Sequence, residues 1–177
     1  MNRDEAAAIA ALVQNIGEGG RRATEEELVR ARSYLATHVL RRPSLTRDDE
    51  LTGLPWQGRI LAPGDLLWRA EAKFLKHVVD RRKWPDGTTL EAFMSSLERV
   101  VRNPSGGVYL ERDAGDWKLT CVAQSGRWRG DGGGSHIVVV FMPVKGLWVT
   151  AYQPAGGLRQ IERSGRLAGG RWLGRPD

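Results

Sequence analysis

The chain has 177 residues, of which 41% are hydrophobic and 27% charged, with 22 glycines, one cysteine and a formal net charge of +6. Such a length holds one ordinary domain with an extension, and near-average apolar content excludes a wholly disordered chain. The single Cys121 cannot form an internal disulfide, which excludes a cystine-stapled scaffold.

Charge is unevenly spread: Met1 to Pro55 hold 8 Lys/Arg against 9 Asp/Glu, whereas Trp56 to Asp177 hold 19 against 12. A basic domain suits a polyanion such as nucleic acid, because neutralised phosphates release counterions and steer association. A basic surface without such a partner is the alternative. No apolar run, Ile137 to Met142 included, approaches the roughly 20 residues that span a bilayer, so no membrane partner is expected. The first residues lack the basic start and apolar core of a signal peptide, so the expected location is the cytoplasm, or a target cell reached by a dedicated secretion route.

In chain order, Ile9, Leu12, Val13 and Ile16 share one face of a first helix that Gly17, Gly19 and Gly20 are expected to end. Thr24 with Glu27 forms a capping box that opens a second helix, with Leu28, Ala31, Leu35 and Val39 at helical spacing. Residues Arg41 to Gly64 carry Pro43, Pro55 and Pro63 and read as a linker or strap. Pro63, Gly64 and Asp65 predict a turn and cap for a third helix over Leu66 to Arg82, ended by Trp84, Pro85, Asp86 and Gly87. Thr88 and Glu91 predict a second capping box, for a helix with Leu90, Phe93, Met94, Leu97 and Val101 on its apolar face.

Strands follow. Gly107 to Glu111 and Trp117 to Gln124 flank a turn at Asp113 to Asp116, and His136 to Met142 and Leu147 to Tyr152 flank another at Pro143 to Gly146. Leu158 to Glu162 is expected as a further edge strand. The fold class is therefore α+β: N-terminal helices, then an antiparallel four- to five-stranded β-meander with helices packed on one face. The expected organisation is a helical hairpin and linker over residues 1–55 and a basic nuclease-like domain over 56–177.

His38, His77, His136 and Cys121 lack zinc-like spacing, and the strands carry no paired carboxylates for a two-metal centre, so no metal is expected. The stretch GRWRGDGGGS lacks the Lys-Ser/Thr ending of a P-loop and reads as a hairpin loop. At the end of the third helix His77 and Arg81 stand four apart, followed by Arg82 and Lys83, while Thr150 and Tyr152 alternate on one strand and share its face. The imidazole and a cation one turn below it fit a common substrate. They also fit a core-boundary histidine with arginines in a solvated last turn, and Thr and Tyr are ordinary strand formers.

The run His77, Arg81, Trp84, Pro85, Thr88 and Thr89, then Pro104 and Tyr109, then HIVVVF and LWVTAYQP, resembles the metal-independent RNase superfamily of barnase, EndoU, colicin D and RelE. The resemblance spans Leu66 to Pro154 and is to bacterial toxin and phage-associated members, in many of which a helix supplies a His with nearby basic residues. In those members a four-stranded antiparallel sheet follows, and a late strand ends in Thr-Ala-Tyr or Thr-Ala-Phe. It implies His77 as acid/base, Arg81 or Arg82 as phosphate binder and Thr150 as late-strand hydroxyl with Tyr152 beside it. Lys76, Lys83 and Lys118 each stand for the family lysine, and His136 matches the second histidine of EndoU-like relatives or is a plain strand-end residue. The implied partners are RNA and a cognate immunity or antitoxin inhibitor, with no cofactor.

Chemistry supports the same residue types. Cleaving RNA without metal uses the neighbouring 2′-hydroxyl as nucleophile, so the protein supplies a proton carrier and cations for the phosphorane. Arg127, Trp128 and Arg129 alternate basic and aromatic groups in a loop, suited to stacking a base while holding phosphate, or to packing. The third helix is expected to pack on a sheet whose central strand carries Thr150, placing His77 and Thr150 in one basic cleft. A nucleic-acid-binding module without catalysis, or a phage structural or interaction protein, are the competing classes.

Overall fold

The computed structural model describes residues 3–125, 136–166 and 169–174. Helix α1 (Arg3–Gly19) and helix α2 (Glu25–Tyr34) lead the chain, and α2 continues as a π-helical turn over Leu35–Leu40. The Thr24 capping box is formed: its hydroxyl accepts from Glu27 N–H, and the Glu27 carboxylate accepts from Thr24 N–H. α1 runs through Gly17, which did not end it. A Cβ there would lie 2.3 Å from the Trp117 indole, so glycine is what lets α1 lie directly on that ring.

The strap between the helical pairs is structured. Strand β1 (Leu45–Arg47) pairs with β4 (Leu66–Trp68), and β2 (Pro55–Trp56) with β3 (Arg59–Ile60). Leu51, Leu61 and Leu67 bury a small cluster with Ala72 and Leu75 of the following helix. That helix, α3, begins at Arg69 rather than Leu66 and spans Arg69–Phe74 before a π-helical continuation over Leu75–Asp80. Asp65 does not cap it. Its carboxylate accepts from Ala62 N–H and Arg59 Nη1 and closes the strap's own turn. Helix α4 (Leu90–Arg102) is capped by Thr89 and not Thr88: Thr89 Oγ1 accepts from Ala92 N–H, while the Thr88 hydroxyl donates to the Pro85 carbonyl.

A five-stranded antiparallel sheet follows, built from β5 (Gly107–Asp113), β6 (Asp116–Gln124), β7 (His136–Met142), β8 (Leu147–Tyr152) and β9 (Arg171–Gly174), in the spatial order β8-β7-β6-β5-β9. The β5–β6 loop is two residues, Ala114 and Gly115, with φ of 48° and 90°, the left-handed pair whose twist matches a hairpin. Leu158 to Glu162 is not a strand. It lies in helix α5 (Leu158–Arg166), where Leu158 and Ile161, three apart, turn to the same side. The edge strand beside β5 is β9, formed by Arg171–Gly174.

Side-chain alternation sorts the sheet into two faces. Leu119, Cys121, Val139, Phe141 and Ala151 pack in one core with Ile9 and Val13 of α1, Leu28 of α2 and Leu97 and Val101 of α4. The helices of residues 1–55 and the sheet of 56–177 thus share one hydrophobic core. On the opposite face, Tyr109, Val122, Val138 and Val140 pack with Ile161 of α5. Among the described residues no helix is long and apolar enough to cross a membrane.

Candidate active site

The end of the α3 helix is shaped by its π-helical turn, a wider ladder often found where a helix serves a site. Arg81 N–H donates to the Lys76 carbonyl at 3.1 Å. Arg82 then takes a left-handed φ of 48°, and the chain reverses so that Lys83 N–H donates to the His77 carbonyl at 2.9 Å. This reversal turns the basic run back towards His77.

His77 is 3% exposed, and its ring lies 6.5 Å from that of Trp84. Trp84 stands edge-on to Phe93 at 5.0 Å, so two aromatic layers fix the imidazole from behind. Its Nε2 is buried and has no hydrogen-bond partner among the described residues. Burial, and then the cations Arg81, Lys73 and Lys76, push the imidazole down to about 3, against a smaller opposite pull from Asp48. His77 is therefore neutral at neutral pH.

A cleft of about 370 Å³ opens between this helix end and strand β8, lined by Lys76, His77, Arg81, Lys83, Thr150, Tyr152 and Gln153, among others. It brings together residues 73 positions apart in the sequence. β8 is an edge strand and not a central one, which leaves the flank carrying Thr150 and Tyr152 open to α3. Thr150 sits opposite Val140, and Tyr152 opposite Val138, on the face turned to α5. Burial, and then the Glu111 carboxylate, raise the Tyr152 hydroxyl above its ordinary value, so it remains protonated and available as a donor.

Two of the cleft's cations already have counter-ions. Lys76 Nζ lies 3.1 Å from Asp48 and 2.9 Å from Glu50, and Arg81 Nη2 lies 2.9 Å from the same Glu50 oxygen. These carboxylates come from the strap, whose short 3-10 turn over Asp49–Leu51 presents them to the helix. Sequence reading treated the strap as a connector. Its signal was the acidic run Asp48-Asp49-Glu50, which stands between two basic segments. Gln153 was also missed, although it directly follows the Thr-Ala-Tyr ending.

The other expected site residues are more dispersed. Lys83 lines the cleft, whereas Arg82 is exposed and does not. His136, the first residue of β7, pairs in register with Gln124 and does not line the cleft. Lys118 is held at 2.5 Å by Asp113 on the β5–β6 hairpin, so Lys76 and Lys83 are the lysines at the cleft. Arg127, Trp128 and Arg129 lie outside the described residues. Among the described residues no group of three or more His, Cys, Asp or Glu side chains is placed to hold a metal ion.

The buried imidazole has a measurable consequence for stability. A histidine whose folded pKa lies below its unfolded value binds fewer protons when folded, so stability is full above the unfolded value of 6.5 and is lost as pH falls from there towards 3. The ion-paired carboxylates Asp49, Glu50, Asp65, Glu91 and Glu98 are lowered from ordinary values of 3.8 or 4.5, so their losses begin at lower pH. The denaturant midpoint is expected to fall already between pH 6.5 and 4.5, and His77→Gln to flatten that part of the curve. An unchanged slope in the variant would show that the imidazole is hydrated.

Comparison of the chain with protein-family models, with curated proteins and with solved structures finds no match.

Proposed function

We propose that this chain is a metal-independent endoribonuclease of the bacterial toxin, effector or phage-associated kind, cleaving RNA by attack of a ribose 2′-hydroxyl on the adjacent phosphodiester. The observation that carries the reading is the single cleft in which a buried imidazole faces cations from a helix end and two hydroxyl-bearing residues of an edge strand. In this reading RNA is the substrate, and a cognate inhibitor protein is the second partner.

The roles follow from charge and protonation. The phosphodiester binds at Lys76, Arg81 and Lys83, displacing Asp48 and Glu50, and Thr150 and Tyr152 donate to its non-bridging oxygens. The bound phosphate offsets the cations that depress His77 and so raises its basicity in the complex. His77 takes the proton of the 2′-hydroxyl as that oxygen bonds to phosphorus, and returns a proton to the departing 5′-oxygen. The products are a 2′,3′-cyclic phosphate and a free 5′-hydroxyl.

The test is incubation of the purified protein with RNA in EDTA. RNA is expected to give fragments with 2′,3′-cyclic phosphate ends while DNA of the same sequence survives, since only RNA carries the internal nucleophile. Salt-sensitive binding without cleavage would instead support a nucleic-acid-binding module, the reading favoured by the burial of His77 Nε2. Neither binding nor cleavage would support a structural or interaction role.

A further inference from the structure

Gln153 follows the last residue of β8, is 6% exposed, and shares the cleft wall with His77. Its Nε2 donates to the Lys83 carbonyl at 2.5 Å. That bond orients the amide, because the flipped form would set two carbonyl oxygens against each other. The remaining polar atom, Oε1, is buried and has no hydrogen-bond partner among the described residues. Leaving such an acceptor unsatisfied is destabilising, because its hydrogen bonds to water are lost and not replaced.

The peptide groups of Lys83 tie the two unpaired atoms together. Its N–H holds the His77 carbonyl and its C=O holds the Gln153 amide, so imidazole and amide oxygen are fixed relative to each other. Phosphate oxygens are acceptors and satisfy Lys76, Arg81 and Lys83, but not Gln153 Oε1. That atom calls for a donor. An RNA strand offers two kinds, base N–H groups and the 2′-hydroxyl, and only the hydroxyl belongs beside His77 in the chemistry above.

We propose that Gln153 is a positioning residue whose amide oxygen accepts a hydrogen bond from the 2′-hydroxyl of bound RNA before reaction, holding the nucleophile beside His77; the hydroxyl has a single proton, so this bond is exchanged for one to His77 as the proton is transferred. The inference rests on the ribonuclease reading. It makes Gln153 the group that distinguishes ribose from deoxyribose in binding, separately from the need for a nucleophile in cleavage.

The test uses two oligonucleotides that resist cleavage, one with 2′-amino and one with 2′-fluoro substituents, and measures affinity at fixed salt. The amino group donates and fluorine does not. Wild-type protein is expected to bind the amino strand roughly 3- to 10-fold more tightly, the ratio a single net hydrogen bond supplies. Gln153→Met is expected to bind both equally, whereas a merely structural role would weaken both and keep the ratio. Equal binding by the wild type, or a ratio kept in a folded Gln153→Met variant, overturns the proposal. Wild-type equality decides the matter even where the variant does not fold. A shift in base preference without a 2′-substituent effect would assign the amide to a base and also overturn it. If the wild type cleaves unmodified RNA in EDTA, such failures leave the ribonuclease reading standing. If it neither cleaves RNA nor binds either strand, both fall.

Discussion

Replacing His77 by Gln is expected to lower the rate of RNA cleavage by about 100-fold or more while changing RNA affinity by no more than about twofold. Glutamine keeps most of the volume between Trp84 and the cleft but cannot carry a proton. The imidazole touches no solvent through Nε2 and holds no cation in place, so its loss leaves Lys76, Arg81 and Lys83 where they are. Single-turnover rates and equilibrium binding separate the two effects. A folded variant that cuts RNA at the parent rate would remove His77 from the mechanism, and one that loses affinity in step with rate would make it a binding residue.

The pH profile adds an independent check. With the free imidazole pushed down to about 3, kcat/KM is expected to show no inflection near the ordinary histidine value of 6.5 on the free-enzyme limb. The complex, in which phosphate offsets the surrounding cations, is expected to titrate higher. Glu50→Gln would move the cleft in the opposite sense to bound RNA, since it leaves Lys76 and Arg81 less compensated. It is expected to tighten RNA binding and steepen its salt dependence.

Most of the frame was legible in the residues because the strongest local signals were honest ones. Thr24 with Glu27, the apolar face of α4, the left-handed turn at Ala114-Gly115 and the runs HIVVVFM and LWVTAY each formed as periodicity and turn chemistry require. One error arose where two periods fit a short segment. Leu66-Leu67-Trp68 lies on the helical phase of α3 yet pairs with β1, because Leu67 buries itself in the strap's own small core. Leu158 to Glu162 does not alternate as a half-buried strand would: its apolar residues, Leu158 and Ile161, stand a helical three residues apart, and the helix covers the sheet's second face.

The site was legible only in part, for a related reason. His77, Arg81, Thr150 and Tyr152 could be named from spacing on their own elements. What Asp48, Glu50 and Gln153 do is set by tertiary placement, from the meeting of Glu50 with Lys76 up to the 70 residues between Lys83 and Gln153. Nothing in their local sequence shows that a strap carboxylate meets a helix lysine. The depth of His77 was likewise invisible: helical spacing put it at the border of the buried face, and the Trp84 ring closes that border from outside the helix.

That aromatic backing makes the second large effect. Phe93 is fully buried in α4 and meets Phe74 at 6.0 Å and Trp84 at 5.0 Å, both edge-on. Phe93→Ala is expected to cost about 3–5 kcal/mol of folding stability, the sum of lost transfer energy and the cavity that neighbouring rings only partly fill. The position is also a hinge between stability and chemistry, because Trp84 rests on Phe93 and His77 rests on Trp84. At a temperature where the variant is still folded, cleavage is therefore expected to fall further than the folded fraction accounts for. Val101→Ala, also fully buried in α4 but without a ring in this stack, supplies the control: lower stability with the rate per folded molecule kept. Denaturant melts and active-site-normalised rates measured on both variants decide it. A Phe93→Ala cost below about 1 kcal/mol would mean that the rings close over the gap. Equal rates per folded molecule in the two variants would mean that the helix end, and not the aromatic stack, holds the imidazole in place.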